Sequence, residues 1–238
     1  MSERIVGVLG GMGPEASADF YLRLTAATPA QRDQEHLRVI IDSNPKIPDR
    51  TESIRTGSEA TLKALIASAR LLESAGAELL VMPCNSAHFW YDQLVTEVRV
   101  PFINMIEEVF LAVERAGLTR VGLLATTGTA RSGVYTDAAG DIVLLKPDEA
   151  LQDRIQEAIY RIKGRVGQGP DESRATFTEA IEVLRGKGAE GIILGCTEIP
   201  IVVKPERFPE VPIFDSTQIL VEATLREALP RSPARPFS

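Results

Sequence analysis

Gly76-Ala77-Glu78-Leu79-Leu80-Val81-Met82-Pro83-Cys84 and Gly188-Ala189-Glu190-Gly191-Ile192-Ile193-Leu194-Gly195-Cys196 are two versions of one segment, identical at four of nine positions. In both, a glycine turn leads into a short apolar run and then a cysteine, at an offset of 112 residues. Working outward, Val6-Gly7-Val8-Leu9 through Gly13 has a counterpart 115 residues later, in Val121-Gly122-Leu123-Leu124 through Gly128. Beyond each cysteine comes a Val-Pro step into another apolar run, Val100-Pro101-Phe102-Ile103 and Val211-Pro212-Ile213-Phe214. Matched blocks in the same order, at nearly the same offset, mark a duplicated unit. The chain therefore reads as two similar halves related by approximate twofold symmetry. Residues 1–115 carry Cys84 and residues 116–229 carry Cys196, with a possible crossing back at the C-terminal end. Residues 230–238, with three prolines, read as a flexible tail.

Short apolar, β-branched runs at residues 5–9, 37–41, 79–82, 121–124, 142–145 and 191–194 predict strands. Segments with helical spacing lie between them, at residues 53–74, 147–165 and 172–187. Strands that are apolar throughout, alternating with helices, predict parallel sheets covered on both faces. The fold class is thus α/β, two pseudo-symmetric α/β/α units with the site in the cleft between them.

The bulk composition excludes several functions. A formal charge of −7 without a basic run gives no footprint for nucleic-acid binding. No apolar stretch reaches the length of roughly 18 residues that a membrane helix needs. No secretory leader pattern is visible, and two cysteines do not make a disulfide scaffold. These features predict a cytoplasmic protein with free thiols.

The repeat gives the cysteines their interest. Each follows an apolar strand, at the carboxyl end where open α/β sheets place their ligands. If the halves face one another, the two thiols approach a bound molecule from opposite sides. Racemisation needs that arrangement. One thiolate takes the α-proton, the carbon flattens, and the opposite thiol delivers a proton to the other face. Asn85-Ser86 are good N-cap residues for a helix expected over residues 87–98, whose N-terminus would favour a thiolate at Cys84. Thr197 is a weaker cap after Cys196. Backbone N–H groups at Asn85, Ser86 and Thr197 are expected to grip a substrate carboxylate. The Thr126-Thr127-Gly128-Thr129 turn offers further donors, or is an ordinary capped turn.

Four segments carry a resemblance to a known family: Leu9-Gly10-Gly11-Met12-Gly13-Pro14, Asn44-Pro45-Lys46-Ile47-Pro48-Asp49-Arg50-Thr51, Met82-Pro83-Cys84-Asn85-Ser86-Ala87-His88 and Gly195-Cys196-Thr197-Glu198-Ile199-Pro200. They span nearly the whole chain, and together they resemble the aspartate/glutamate racemase superfamily, most closely its aspartate racemase branch. Glutamate racemases of wall synthesis are less similar, because they usually carry Asp-Ser-Gly where this chain has Gly11-Met12-Gly13 and a histidine where it has Glu198. The resemblance implies a pair of Rossmann-like domains, racemisation without pyridoxal phosphate or any other cofactor, and a homodimer. It implies that Cys84 serves the D-enantiomer and Cys196 the L-enantiomer. It further implies that Arg50 and Lys163 hold the carboxylates of an acidic amino acid. Met12 and Thr51, in the quoted segments, join them as substrate contacts. A guanidinium suits the task because it makes two parallel hydrogen bonds to one carboxylate.

Other signals weigh less. The glycines at 10, 11 and 13 lack the ending of a phosphate loop and the Rossmann spacing, so the turn reads as a close backbone approach to substrate. His88, four residues after Cys84, is placed either to tune the thiol or to cap and pack. Glu198 has two possible roles: accepting the Cys196 proton or binding the substrate ammonium. As an anion it also opposes a thiolate. His36 reads as surface, and two histidines without zinc spacing predict no metal site. Three alternatives share the two-cysteine pattern: a broad-specificity amino-acid racemase, a maleate isomerase with a nucleophilic cysteine, and a hydantoin racemase. A two-lobed small-ligand binder and a thiol redox sensor are the non-enzymatic ones.

Overall fold

The computed structural model describes residues 3–164 and 170–229. Its strands are β1 (Val6–Gly10), β2 (Val39–Ser43), β3 (Leu79–Val81), β4 (Arg120–Ala125), β5 (Val143–Leu145), β6 (Gly191–Gly195) and β7 (Ile213–Asp215). The helices are α1 (Pro14–Ala27), α2 (Arg50–Thr56), α3 (Ala60–Ser74), α4 (Tyr91–Val95), α5 (Met105–Arg115), α6 (Thr127–Arg131), α7 (Val134–Ala138), α8 (Glu149–Gly164), α9 (Pro170–Gly186), α10 (Ile199–Val202) and α11 (Ser216–Ala228).

Two parallel sheets form, in the orders β2-β1-β3 and β5-β4-β6-β7. The sequence repeat maps onto them strand for strand. Val6 pairs with Leu79 in the first sheet as Val121 pairs with Gly191 in the second. The Val-Pro run after Cys196 becomes β7, whereas its counterpart after Cys84 makes one parallel bridge, Leu80 to Phe102. Successive side chains of each strand enter different cores. Leu80 and Met82 pack with Leu65, Ala69 and Leu72 of α3, while Leu79 and Val81 pack with Phe20 and Leu24 of α1. In the second half Leu124, Ile192 and Leu194 meet α8 and α9, and Val121, Leu123 and Ile193 meet α5. With both faces covered, β1, β3 and β6 carry no polar side chain and are buried at every position. Burying a Leu or Ile fully stabilises by about 1.5–3 kcal/mol each.

The repeated glycines have a packing cause. A Cβ on Gly7 would lie 2.7 Å from both Ala77 Cβ and Leu80 Cδ2, and one on Gly122 would lie 2.8 Å from Ile192 Cδ1. Only a bare backbone lets α3 and α9 sit this close to the central strands.

Several helical expectations are corrected. Residues 53–74 are not one helix, because Gly57 adopts φ 68° and ends α2 with its N–H on the Ser53 carbonyl before α3 begins. Residues 87–98 form a 3-10 turn (Ser86–Trp90) and the short α4. The expected cap is missing there because the Asn85 side chain bonds elsewhere. Helix α8 starts at Glu149 and α9 at Pro170, with Arg165 outside the described residues, as is the tail 230–238. His36 is half-buried, not a surface side chain. Among the described residues, no helix is long and apolar enough to cross a membrane.

The halves exchange helices. Helix α5, which ends the first half of the chain, packs on the second sheet. Helix α11 crosses back onto the first sheet, where Leu220, Val221 and Ala223 cover Val6 and Val8.

Candidate active site

Cys84 and Cys196 are free thiols, 4% and 6% exposed, on the loops that leave β3 and β6. Around Cys84 the geometry is set by its neighbours. Its Sγ lies 3.5 Å from Ser86 Oγ. His88 does not touch the thiol. Its Nδ1 meets the Cys84 carbonyl at 2.9 Å, and its Nε2 accepts the Met105 N–H at 3.1 Å, so the proton sits on Nδ1. Burial lowers the imidazole pKa to about 4, which keeps it neutral. Of the two readings of His88, packing and capping is the one realised.

Asn85 is buried and fully engaged. It accepts the Tyr135 hydroxyl at 2.6 Å and donates to Ser216 Oγ at 3.0 Å, so its side chain cannot cap the following turn. Its backbone N–H is a separate donor.

The Cys196 loop is built around charge. The thiol donates to Glu198 Oε2 at 3.0 Å, and Thr197 Oγ1 donates to the same oxygen at 3.4 Å. The other carboxylate oxygen accepts Lys163 Nζ at 2.8 Å. Burial pushes the Cys196 thiol well above its ordinary range, the Glu198 charge pushes it further, and Lys163 pulls partly back. Burial works against the Lys163 ammonium, but Glu198 and the two nearby cysteines outweigh it, and the pKa rises. Lys163 is thus electrostatically coupled to both cysteines.

Met12 joins the halves at this point. Its carbonyl accepts Arg50 Nη2 at 3.2 Å from the first half and Lys163 Nζ at 3.5 Å from the second. Arg50 also donates from Nη1 to the Ile47 and Pro48 carbonyls, while its buried Nε has no protein partner. Asp49 caps α2 by accepting the Glu52 N–H, which fixes Arg50 as the first helical residue. The adjacent Gly13 sits close to Glu198, where an added Cβ would be 3.3 Å from Oε1.

The remaining expected residues lie where α2, α6 and α8 meet. Thr126 caps α6 by accepting the Thr129 N–H at 3.3 Å, as in an ordinary capped turn. The Thr127 N–H donates to Gln156 Oε1 at 2.8 Å, and Gln152 bonds the Ala125 carbonyl and the Thr127 hydroxyl. Thr51 presses on Gly128, and Tyr160 donates to Asp49 Oδ2 at 2.8 Å, so both halves meet here. Met12, Arg50, Lys163, Cys196 and Glu198 are linked by direct contacts. Sequence reasoning missed Tyr135, Ser216 and Gln156, since an isolated tyrosine, serine or glutamine on a helix carries no spacing signal. Among the described residues there is no group of three or more His, Cys, Asp and Glu that could hold a metal ion.

This doubled α/β frame, with a cysteine loop in each half, is that of the Asp/Glu/hydantoin racemases. The chain belongs to that family, whose sequence profile matches residues 9–224. It is similar to Picrophilus torridus aspartate racemase, at 32% identity over 94% of both chains with a TM-score of 0.84. An aspartate racemase homologue from Pyrococcus horikoshii covers 94% of this chain and 99% of its own at 25% identity, with a TM-score of 0.77. The broad-specificity amino-acid racemase of Bacillus subtilis is 25% identical over 93% of this chain and 96% of its own. The class of enzyme is therefore an isomerase of the racemase type.

Proposed function

We propose that the chain interconverts the L- and D-forms of an acidic amino acid, aspartate before glutamate, without a cofactor, and that Cys84 and Cys196 are its two bases. The observation that carries this reading is the meeting of Arg50 and Lys163 on the Met12 carbonyl, beside the Glu198–Cys196 pair. Two cations from opposite halves suit a molecule with two carboxylates. The unpartnered Arg50 Nε–H is a ready donor to one of them. Backbone N–H groups of Asn85, Ser86 and Thr197 hold the α-carboxylate, with Thr51, Thr126 and Thr127 lining the same space. Glu198 supplies a counter-charge for the substrate ammonium, which maleate lacks, and this favours the amino acid.

In the D-to-L direction the Cys84 thiolate removes the α-proton and the Cys196 thiol, held protonated by burial and by Glu198, delivers one to the opposite face. In the reverse direction Cys196 must first lose its proton, and the Glu198 carboxylate at 3.0 Å is the acceptor within reach. Lys163 favours the thiolate at Cys196. Similarity to the Bacillus subtilis enzyme supports a second reading, a broader amino-acid range on the same chemistry.

Proton NMR in deuterated buffer without pyridoxal phosphate tests this. L-Aspartate should lose its α-proton signal and yield D-aspartate with the wild type. Cys84→Ser and Cys196→Ser should each slow inversion by about 10²–10⁴-fold, the contribution of a positioned acid or base. Absence of exchange with aspartate, glutamate and neutral amino acids alike refutes racemisation by this chain.

A further inference from the structure

A buried polar chain connects the Cys84 loop to the end of β6, the strand from which the Cys196 loop departs. Tyr135 on α7 donates its hydroxyl to Asn85 Oδ1 at 2.6 Å, and Asn85 Nδ2 donates to Ser216 Oγ at 3.0 Å. The Ser216 hydroxyl donates in turn to the Leu194 carbonyl at 2.8 Å. Asn85 immediately follows Cys84, and Leu194 stands two residues before Cys196. The three side chains are 1%, 2% and 0% exposed, so water does not compete for these bonds. Their elements differ: Asn85 follows β3 of the first sheet, Tyr135 follows β4 of the second, and Ser216 opens the returning helix α11. The three polar side chains satisfy one another and the Leu194 carbonyl in the interior. What they add is a fixed distance between loops from opposite halves.

We propose that Tyr135 and Ser216 are positioning residues for two-base racemisation, their hydrogen-bonded chain through Asn85 setting the spacing of the Cys84 and Cys196 loops. The inference rests on the racemase reading above. Proton removal and delivery occur on opposite faces of one carbon atom, so the two sulfurs must sit at a defined separation. A misplacement of about 1 Å can cost on the order of 10²-fold. Neither residue donates the transferred proton. Burial holds the Tyr135 phenol above its ordinary range, and a charge at Cys196 raises it further, so it remains a neutral donor.

Tyr135→Phe and Ser216→Ala test the idea in deuterated buffer, with three readouts. The first is the split between kcat and KM. The second is the ratio of deuterium appearing in recovered substrate to that appearing in inverted product. The third is Tm. With the opposite donor displaced, the carbanion is recaptured on its original face by a thiol that has exchanged with solvent. Recovered substrate is then labelled without inversion. We expect kcat to fall about tenfold, a change of ~1.4 kcal/mol, with KM changed less than about twofold. The labelling ratio should rise several-fold, on the order of the loss in kcat. That ratio does not depend on how much enzyme is folded, so a packing defect leaves it unchanged. An unchanged ratio and kcat, with only Tm lowered, overturns the positioning role while leaving the racemase reading intact. If Tyr135→Phe does not fold, Ser216→Ala, which removes one hydroxyl from the same chain, decides. A wild type that exchanges no amino-acid α-proton overturns the racemase reading and this proposal together.

Discussion

Replacing Gly128 with alanine probes the place where the two halves press together. An added Cβ would lie 2.8 Å from both Thr51 Cα and Thr51 Oγ1. Gly128 does not occupy the left-handed region, so its backbone accepts alanine, which a helix prefers to glycine by about 0.5–1 kcal/mol. Against this gain stands the collision. Overpacking costs about 1–3 kcal/mol, and a clash with main chain cannot be relieved by turning a side chain. Because the colliding atoms belong to different halves, the relief is to separate α2 from α6. That movement takes Arg50 away from Met12 and Lys163. The net penalty of about 1–2 kcal/mol falls on substrate capture, and kcat/KM should drop about 5- to 30-fold. Gly186→Ala is the control, since nothing lies within 4 Å of its added Cβ. It should gain about 0.5–1 kcal/mol and raise Tm by a few degrees, at about 2–4 °C per kcal/mol, with activity intact. Racemase kinetics and thermal melts on the two variants make the comparison. A Gly128→Ala enzyme with raised Tm and unchanged kcat/KM refutes the reasoning.

Glu198→Gln should let Cys196 ionise at lower pH, because the charge that opposes the thiolate is gone and Lys163 is left unbalanced. Thiolate absorbance in a Cys84→Ser background measures it, and an unmoved titration contradicts the assigned role of Glu198. His88 gives stability an acid-side slope. Burial holds its pKa at about 4 against 6.5 when unfolded, so between these values the unfolded chain binds the extra proton. Stability from this group is complete above pH 6.5 and declines as pH falls toward 4, by on the order of 3 kcal/mol. Denaturant unfolding of wild type and His88→Gln across that window should give diverging curves; parallel ones would show that His88 is not held neutral.

The duplicated frame was legible because burial on both faces leaves a direct trace. Apolar runs, paired glycines and the two cysteines recur at a near-constant offset. The cysteine loops stand out because they recur with the repeat, whereas the Arg50 segment, which has no repeat counterpart, stands out only through its resemblance to the racemase family. The failures share a different cause. Asn85 is a favoured helix cap, yet its side chain is claimed by Tyr135 and Ser216, which lie far away in the chain. Residues 53–74 kept a helical pattern across Gly57, and only its left-handed conformation reveals the break. The contact between Glu198 and Lys163 joins residues 35 apart, and no local rule anticipates it. Likewise, the spacing of His88 from Cys84 did not distinguish a bond to sulfur from one to the carbonyl.

The returning helix α11 also bears on how the protein is made. Val6 and Val8 leave the ribosome more than 200 residues ahead of the side chains that cover them, Leu220 and Val221. The Ala228 carbonyl then receives the Arg4 N–H at 2.9 Å, stitching the beginning of the described chain to its end. At synthesis rates of about 5–20 residues per second, β1 and β3 wait roughly 10–40 seconds for that cover. During the interval α1 covers only part of that face of the first sheet, and the part that α11 will occupy is an open apolar surface. Nascent chains halted before residue 216 should therefore depend on chaperones, even though every residue of the Cys84 loop has already been synthesised.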